Sequence, residues 1–187
     1  MNWLPTEYKV PESSGQFMKL KQGKNRLRIL SKPLLGYEWW SEDSKGRKPH
    51  RVETFQEAVN EGVEPIKHFW AFTVWNYDEK KLQVLEVTQK TIMQAIQSLT
   101  TDEDWGDPVK YDLVITREGE SLETSYTIQP KPHTELPDGV SDALKESKID
   151  LRALLKGEYP MADSPSTESP NEDSHQTADE LADQIPF

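Results

Sequence analysis

Apolar and polar positions alternate with period two in several short stretches of this chain, and one longer stretch has a helical period. Residues 66–76 and 82–88 alternate as two strands, joined by a turn at Tyr77-Asp78-Glu79-Lys80. Residues 89–99 then carry Ile92, Met93, Ile96 and Leu99 at helical spacing, which predicts one amphipathic helix. Residues 111–117 and 123–129 predict a hairpin around Glu118-Gly119-Glu120. Upstream, residues 17–20, a turn at Gln22-Gly23-Lys24-Asn25, and residues 26–32 read as strand, turn and strand. Leu27 and Ile29 lie on one face of the second strand, with Arg26, Arg28, Leu30 and Lys32 on the other. Pro33 interrupts, so residues 34–40 are expected as a strand that follows a bend. Residues 41–65 are expected as a long loop with a short helix over 54–60, and short helical segments are expected over 141–146 and 150–155.

Strands, one helix and two further strands, in that order, fit a mainly β fold: a five-stranded OB-type barrel with its helix between the third and fourth strands. Residues 17–160 supply enough chain for one such domain. Residues 1–16, with Trp3, Pro5, Tyr8 and Pro11, read as an extended arm whose aromatics pack back on the domain or dock on a neighbouring copy. Residues 161–187 hold seven acidic residues and no Lys or Arg, in a Ser/Pro/Thr/Asn-rich stretch. Such a segment buries too little apolar surface to offset the entropy of ordering, so a disordered acidic tail is expected. It ends in Asp183-Gln184-Ile185-Pro186-Phe187. An apolar tip on an acidic tether has the form of a short linear motif, in which a partner's pocket takes the ring and a basic residue takes the carboxylate. Asp183, Ile185, Pro186 and Phe187 are therefore the candidate partner-binding residues, and a solubilising end is the competing reading.

The net charge of −11 hides a strong asymmetry. Between Lys19 and Arg51 there are ten Lys or Arg against three acids, a local excess of about seven positive charges in an acidic protein. There is no cysteine, which excludes disulfides and thiolate zinc sites, and the four histidines lack ligand spacing. No metal site or cofactor is expected. No apolar run approaches transmembrane length, and no phosphate loop, nucleophile elbow or zinc-protease motif occurs, so a catalytic role is not expected.

What remains is aromatic residues interleaved with bases. Tyr37, Trp39 and Trp40 adjoin the basic segment, and residues 67–77 contain five aromatics. Alternation puts His68, Trp70, Phe72 and Val74 on one face, taken as the core face. Lys67, Phe69, Ala71, Thr73, Trp75 and Tyr77 share the other, which suits base stacking. The candidate nucleic-acid residues are thus Arg26, Arg28, Lys32, Arg47, Lys48, Arg51 and Lys67 for phosphates, and Tyr37, Trp39, Trp40, Phe69, Trp75 and Tyr77 for bases.

The run Phe17-Met18-Lys19-Leu20-Lys21-Gln22-Gly23-Lys24-Asn25-Arg26-Leu27-Arg28-Ile29-Leu30, then Gly36-Tyr37-Glu38-Trp39-Trp40 and His68-Phe69-Trp70-Ala71-Phe72, resembles tailed-bacteriophage single-stranded DNA-binding proteins. The Trp3-Leu4-Pro5-Thr6-Glu7-Tyr8 segment is similar to theirs as well, and the Ile-Pro-Phe tip resembles the tail of bacterial single-stranded DNA-binding proteins. The resemblance implies an OB fold that coats single strands without sequence preference in replication, recombination and repair, within the cytoplasm of an infected host. The tail would recruit replication and repair proteins. Some phage relatives carry a structural zinc that this cysteine-free chain has no thiolate to hold. Two other readings stay open: an acidic DNA mimic that occupies a nuclease or repair protein, and a single-stranded RNA binder.

Overall fold

The computed structural model describes residues 15–61 and 63–161. Most of the expected arm and nearly all of the acidic tail, with Asp183, Ile185, Pro186 and Phe187, lie outside the described residues. Seven strands form one sheet: β1 (Gly23–Ile29), β2 (Leu34–Asp43), β3 (Gly46–Val52), β4 (Lys67–Asn76), β5 (Lys81–Val87), β6 (Asp112–Glu118) and β7 (Ser125–Pro130). All strand pairs are antiparallel, in the order β3-β2-β4-β1-β6-β7, with β5 on the other edge of β4. Along the edge away from β5, β4 is shared: its first half pairs with β2 (Leu34↔Ala71 to Glu38↔Lys67), its second with β1 (Leu27↔Asn76 to Ile29↔Val74). The sheet is open: among the described residues β7 and β5, the outermost strands flanking the β4-β1-β6 core of the sheet, do not pair.

Helix α1 (Lys90–Thr101) follows β5 and lays Ile92, Met93 and Ile96 on the sheet, as their spacing predicts. They meet Leu27, Ile29, Phe72, Val74, Leu85, Leu113 and Ile115 in the larger core. A second, smaller core lies on the other face of the sheet. There Phe69, Ala71 and Val84 are covered by Leu154 of the 3-10 turn Leu151–Lys156, which follows helix α2 (Val140–Ser147), together with Ile149, Leu155 and Met161. Gln16 ties this layer down by donating to the Met161 carbonyl at 3.0 Å and accepting from the Met161 amide at 3.1 Å.

Four expectations are corrected. Residues 17–20 do not form a hairpin with β1; Phe17 makes a parallel bridge to Val84 on the outer edge of β5. The buried Asn25 side chain bonds both the amide and the carbonyl of Lys21, each at 2.8 Å, which closes residues 21–25 into a loop, and both edges of β1 belong to β4 and β6. The long loop over 41–65 is largely a hairpin, because β2 runs on to Asp43 and turns at Gly46, whose φ of 114° suits glycine, into β3. Its basic residues therefore lie on a strand, and Pro49 is tolerated because β3 is at the sheet edge. The expected helix over 54–60 shrinks to the 3-10 turn Phe55–Glu57. Finally, the face of β4 assigned to base stacking is closed at its centre: Phe69 is 0% exposed.

Candidate nucleic-acid interface

On the face of the sheet opposite α1, β1 presents Arg26 and Arg28, two residues apart and therefore on one side. The register sets Arg28 between Trp75 of β4 and Asp112 of β6. Asp112 is fully buried and is the hub: it accepts from Arg28 Nε at 2.6 Å, from Arg26 Nε at 3.0 Å and Nη2 at 2.6 Å, and from the Tyr77 hydroxyl at 2.8 Å. Arg28 is only 1% exposed, and its remaining donors go to the carbonyls of Val109 and Thr134 and to Thr134 Oγ1. It is spent on holding β1 to β6 and to the chain beyond β7, and it has no reach to a phosphate.

Arg26 is placed differently. Its guanidinium carbon sits 4.6 Å above the centre of the Tyr77 ring and its side chain stays about half exposed. Two arginines around one carboxylate leave a net positive charge, which is presented to solvent on the Arg26 side. Burial, reinforced by the bond to Asp112, pushes the Tyr77 phenol up to about 12, so it remains a protonated donor at neutral pH. Trp75, half-buried, flanks this cluster. A guanidinium over one ring with a second ring alongside can take a phosphate and a stacked base together.

Further along the same face, the hairpin places Arg47 5.4 Å from the Trp40 ring, with Arg47 also paired to Glu64. Arg51 is largely buried between Glu86 at 2.9 Å and Glu38 at 3.6 Å. Burial works against its charge, but Glu86 and Glu38 outweigh it and hold the guanidinium above its ordinary value. Arg51 lies 5.9 Å from the sealed Phe69 ring, and Lys67 is half-buried near the start of β4. This stretch belongs to the interior beneath the C-terminal layer.

Tyr37, Trp39 and Lys48 face the other way, since register puts them with His68, His50 and Ser41 respectively. Trp39 is 7% exposed and stacks on His50 at 5.2 Å and 16°, while His50 Nε2 lies 2.6 Å from Ser41 Oγ. Tyr37 touches Phe55 at 5.4 Å and His68 at 5.0 Å. Lys32 is exposed at the corner between β1 and β2, where it lines a cavity of about 260 Å³ with Trp70, Pro33, Ile96 and Pro108.

The sequence-derived set is therefore divided between two faces rather than gathered on one. Arg28, Trp39 and Phe69 are sealed; Arg26, Trp75 and Tyr77 form one accessible cluster; Trp40 with Arg47, Tyr37, Lys48 and Lys32 remain accessible around the hairpin. Phe55, His68, His50 and Trp70 were not among the candidates; the register Tyr37↔His68 and Trp39↔His50, with the ring contact of Phe55 to Tyr37 and the bond of Trp70 to His68, brings them to one side of the sheet. Among the described residues no group of three or more His, Asp or Glu could hold a metal ion, and no helix is long and apolar enough to cross a membrane.

No family model and no solved structure matches this chain. It is similar to a protein of Escherichia phage T5 named "Probable ssDNA-binding protein". The two are 24% identical over 141 residues, which covers 61% of this chain and 54% of the phage protein. The chain thus spans about half the length of that relative.

Proposed function

We propose that this protein binds single-stranded DNA without sequence preference, as a phage-encoded coating protein rather than an enzyme. The similarity to the phage T5 protein carries this reading, and the accessible Arg26, Tyr77 and Trp75 cluster gives it a chemistry. Phosphates pair with Arg26 and with Arg47 of the hairpin, while bases stack on Trp75, Tyr77 and Trp40. Stacking contributes about 1–3 kcal/mol per base whatever the base, which suits a protein that must cover any strand.

The strand order supports an OB-type core. With the β2–β3 hairpin set aside, β5-β4-β1-β6-β7 with α1 between β5 and β6 is the connectivity of a five-stranded OB barrel, opened between its outer strands, with the hairpin inserted after the first strand. On this reading the protein acts in replication, recombination and repair in the host cytoplasm, and the tip Ile185-Pro186-Phe187 with Asp183 recruits partner enzymes.

Competition decides between this and the other readings. Labelled oligo(dT) should be displaced by unlabelled single-stranded DNA far better than by duplex, and better than by oligo(U). Displacement by RNA at least as effective as by DNA would move the assignment to RNA. Failure to bind any oligonucleotide would favour an acidic DNA mimic.

A further inference from the structure

We infer that the face of the sheet opposite Arg26, where β2, β3 and β4 meet, is a second base-stacking surface built from Phe55, Tyr37, His68 and Trp70. The inference rests on the reading of the chain as a single-strand binder and extends it to residues outside the Arg26 cluster. Cross-strand register brings Tyr37 beside His68, and the rings follow one another: Phe55 meets Tyr37 edge-on at 5.4 Å and 70°, and Tyr37 meets His68 at 5.0 Å and 47°. Trp70 continues the row by donating from Nε1 to His68 Nε2 at 3.1 Å. An indole N–H can only donate, so His68 Nε2 is the acceptor and Nδ1 carries the hydrogen given to the Gly36 carbonyl at 2.8 Å. His68 is thereby fixed in one tautomer and orientation, and it positions Trp70.

These rings are set in place and only partly covered: Tyr37 and Trp70 are half-buried, Trp70 against the larger core, and Phe55 and His68 are open. Phe55 is 57% exposed, neighbouring Leu35 is 48% exposed, and His68 is exposed as well. An apolar surface left open in this way marks an interaction site. Its chemistry points to nucleobases. Two lysines lie on this face: Lys48, exposed and opposite Ser41, four positions along β2 from Tyr37, and Lys32, which shares a cavity with Trp70. Cations flanking flat rings with polar edges suit a polyanion that carries flat bases. An apolar helix would desolvate both lysines and His68 without compensation. The Lys48 contact to Asp43, at 3.4 Å between exposed groups, is too weak to withhold it from a phosphate. The two acids nearest Phe55 in sequence are both engaged: Glu57 accepts from the Thr54 amide and hydroxyl, and Glu53 accepts from Arg152 at 2.6 Å.

The test is ultraviolet crosslinking of the full chain to oligo(dT) with mass-spectrometric mapping, alongside titrations of Phe55→Ala, Tyr37→Ala and Arg26→Ala. Crosslinks are expected in peptides containing Tyr37 and Trp70, and Phe55→Ala, a change at an exposed position, is expected to weaken binding about 5-fold or more. Wild-type binding with crosslinks confined to Trp75 and Tyr77, and unchanged affinity in Phe55→Ala and Tyr37→Ala, would overturn this surface and leave the proposed function standing. Absence of wild-type binding would overturn both.

Discussion

Arg28 Nε donates to Asp112 Oδ1 at 2.6 Å, and both side chains are all but sealed from water. From two residues earlier on the same strand, Arg26 reaches the other oxygen of that carboxylate with half of its side chain still in solvent. One arginine is therefore structural and the other is available to a ligand. Arg28→Ala leaves a buried carboxylate short of a partner and is expected to lose about 3–5 kcal/mol in urea unfolding. Arg26→Ala is expected to cost under about 1 kcal/mol in the same assay and to weaken oligo(dT) binding. Equal effects on stability would contradict the distinction.

Tyr77 supplies a pH signature. Its phenol moves up from 10.0 to about 12, through burial first and its bond to Asp112 second. A folded value above the unfolded one means that the group's contribution to stability is full below the unfolded value of about 10 and is lost as pH rises through the folded one. Tyr77→Phe is expected to flatten the alkaline fall in stability over that window. Tyr111 is also raised, by burial and then by Asp107 and Asp102, so an absorbance titration should find late-titrating tyrosines and one fewer in the variant.

The second core is tested at Gly36. A Cβ there would lie 2.5 Å from the Val52 carbonyl oxygen and 2.7 Å from the Phe69 ring. Gly36→Ala is expected to destabilise by about 1–3 kcal/mol. Phe69→Ala should cost about 3–5 kcal/mol and act on DNA binding only through the fold. A Phe69→Ala protein of wild-type stability would place that ring outside the core.

The segment beyond residue 161 carries seven acids and no Lys or Arg, and it is tethered to a domain with accessible cations. Removing residues 162–187 is expected to tighten oligo(dT) binding, most of all at low salt where charges interact over longer distances. Removing only residues 185–187 is expected to leave DNA affinity unchanged and to abolish partner recruitment in a pull-down. Loss of DNA affinity from the short deletion would contradict that division of roles.

Residue patterns carried the strands whose partners are near in sequence. β4, β5, α1, β6 and β7 all fall within a few residues of their expected positions, because the strand pairs are joined by short turns and α1 carries a clear helical period. The β2–β3 hairpin was hidden by its charge: Arg47, Lys48 and Arg51 with Pro49 look like a loop, and an edge strand needs little apolar content. The face of β4 taken for base stacking was misjudged for a related reason. Phe69 to Val74 is apolar without clean alternation, which is what burial on both sides produces, and the layer that covers Phe69 comes from residues 149–161, far along the chain. Charge and ring content pointed to a nucleic-acid surface. Which arginine is exposed and which is sealed depends on the packing around Asp112, 84 residues from Arg28, a pairing that no local pattern reveals.

The most direct measurement is the quenching of tryptophan fluorescence by oligo(dT) across a series of salt concentrations. The expected result is a tight complex whose logarithmic affinity falls linearly with the logarithm of salt, by about 0.7 for each phosphate neutralised, with a shallower slope in Arg26→Ala. Quenching that is absent, or an affinity indifferent to salt, would contradict single-stranded DNA binding by this protein.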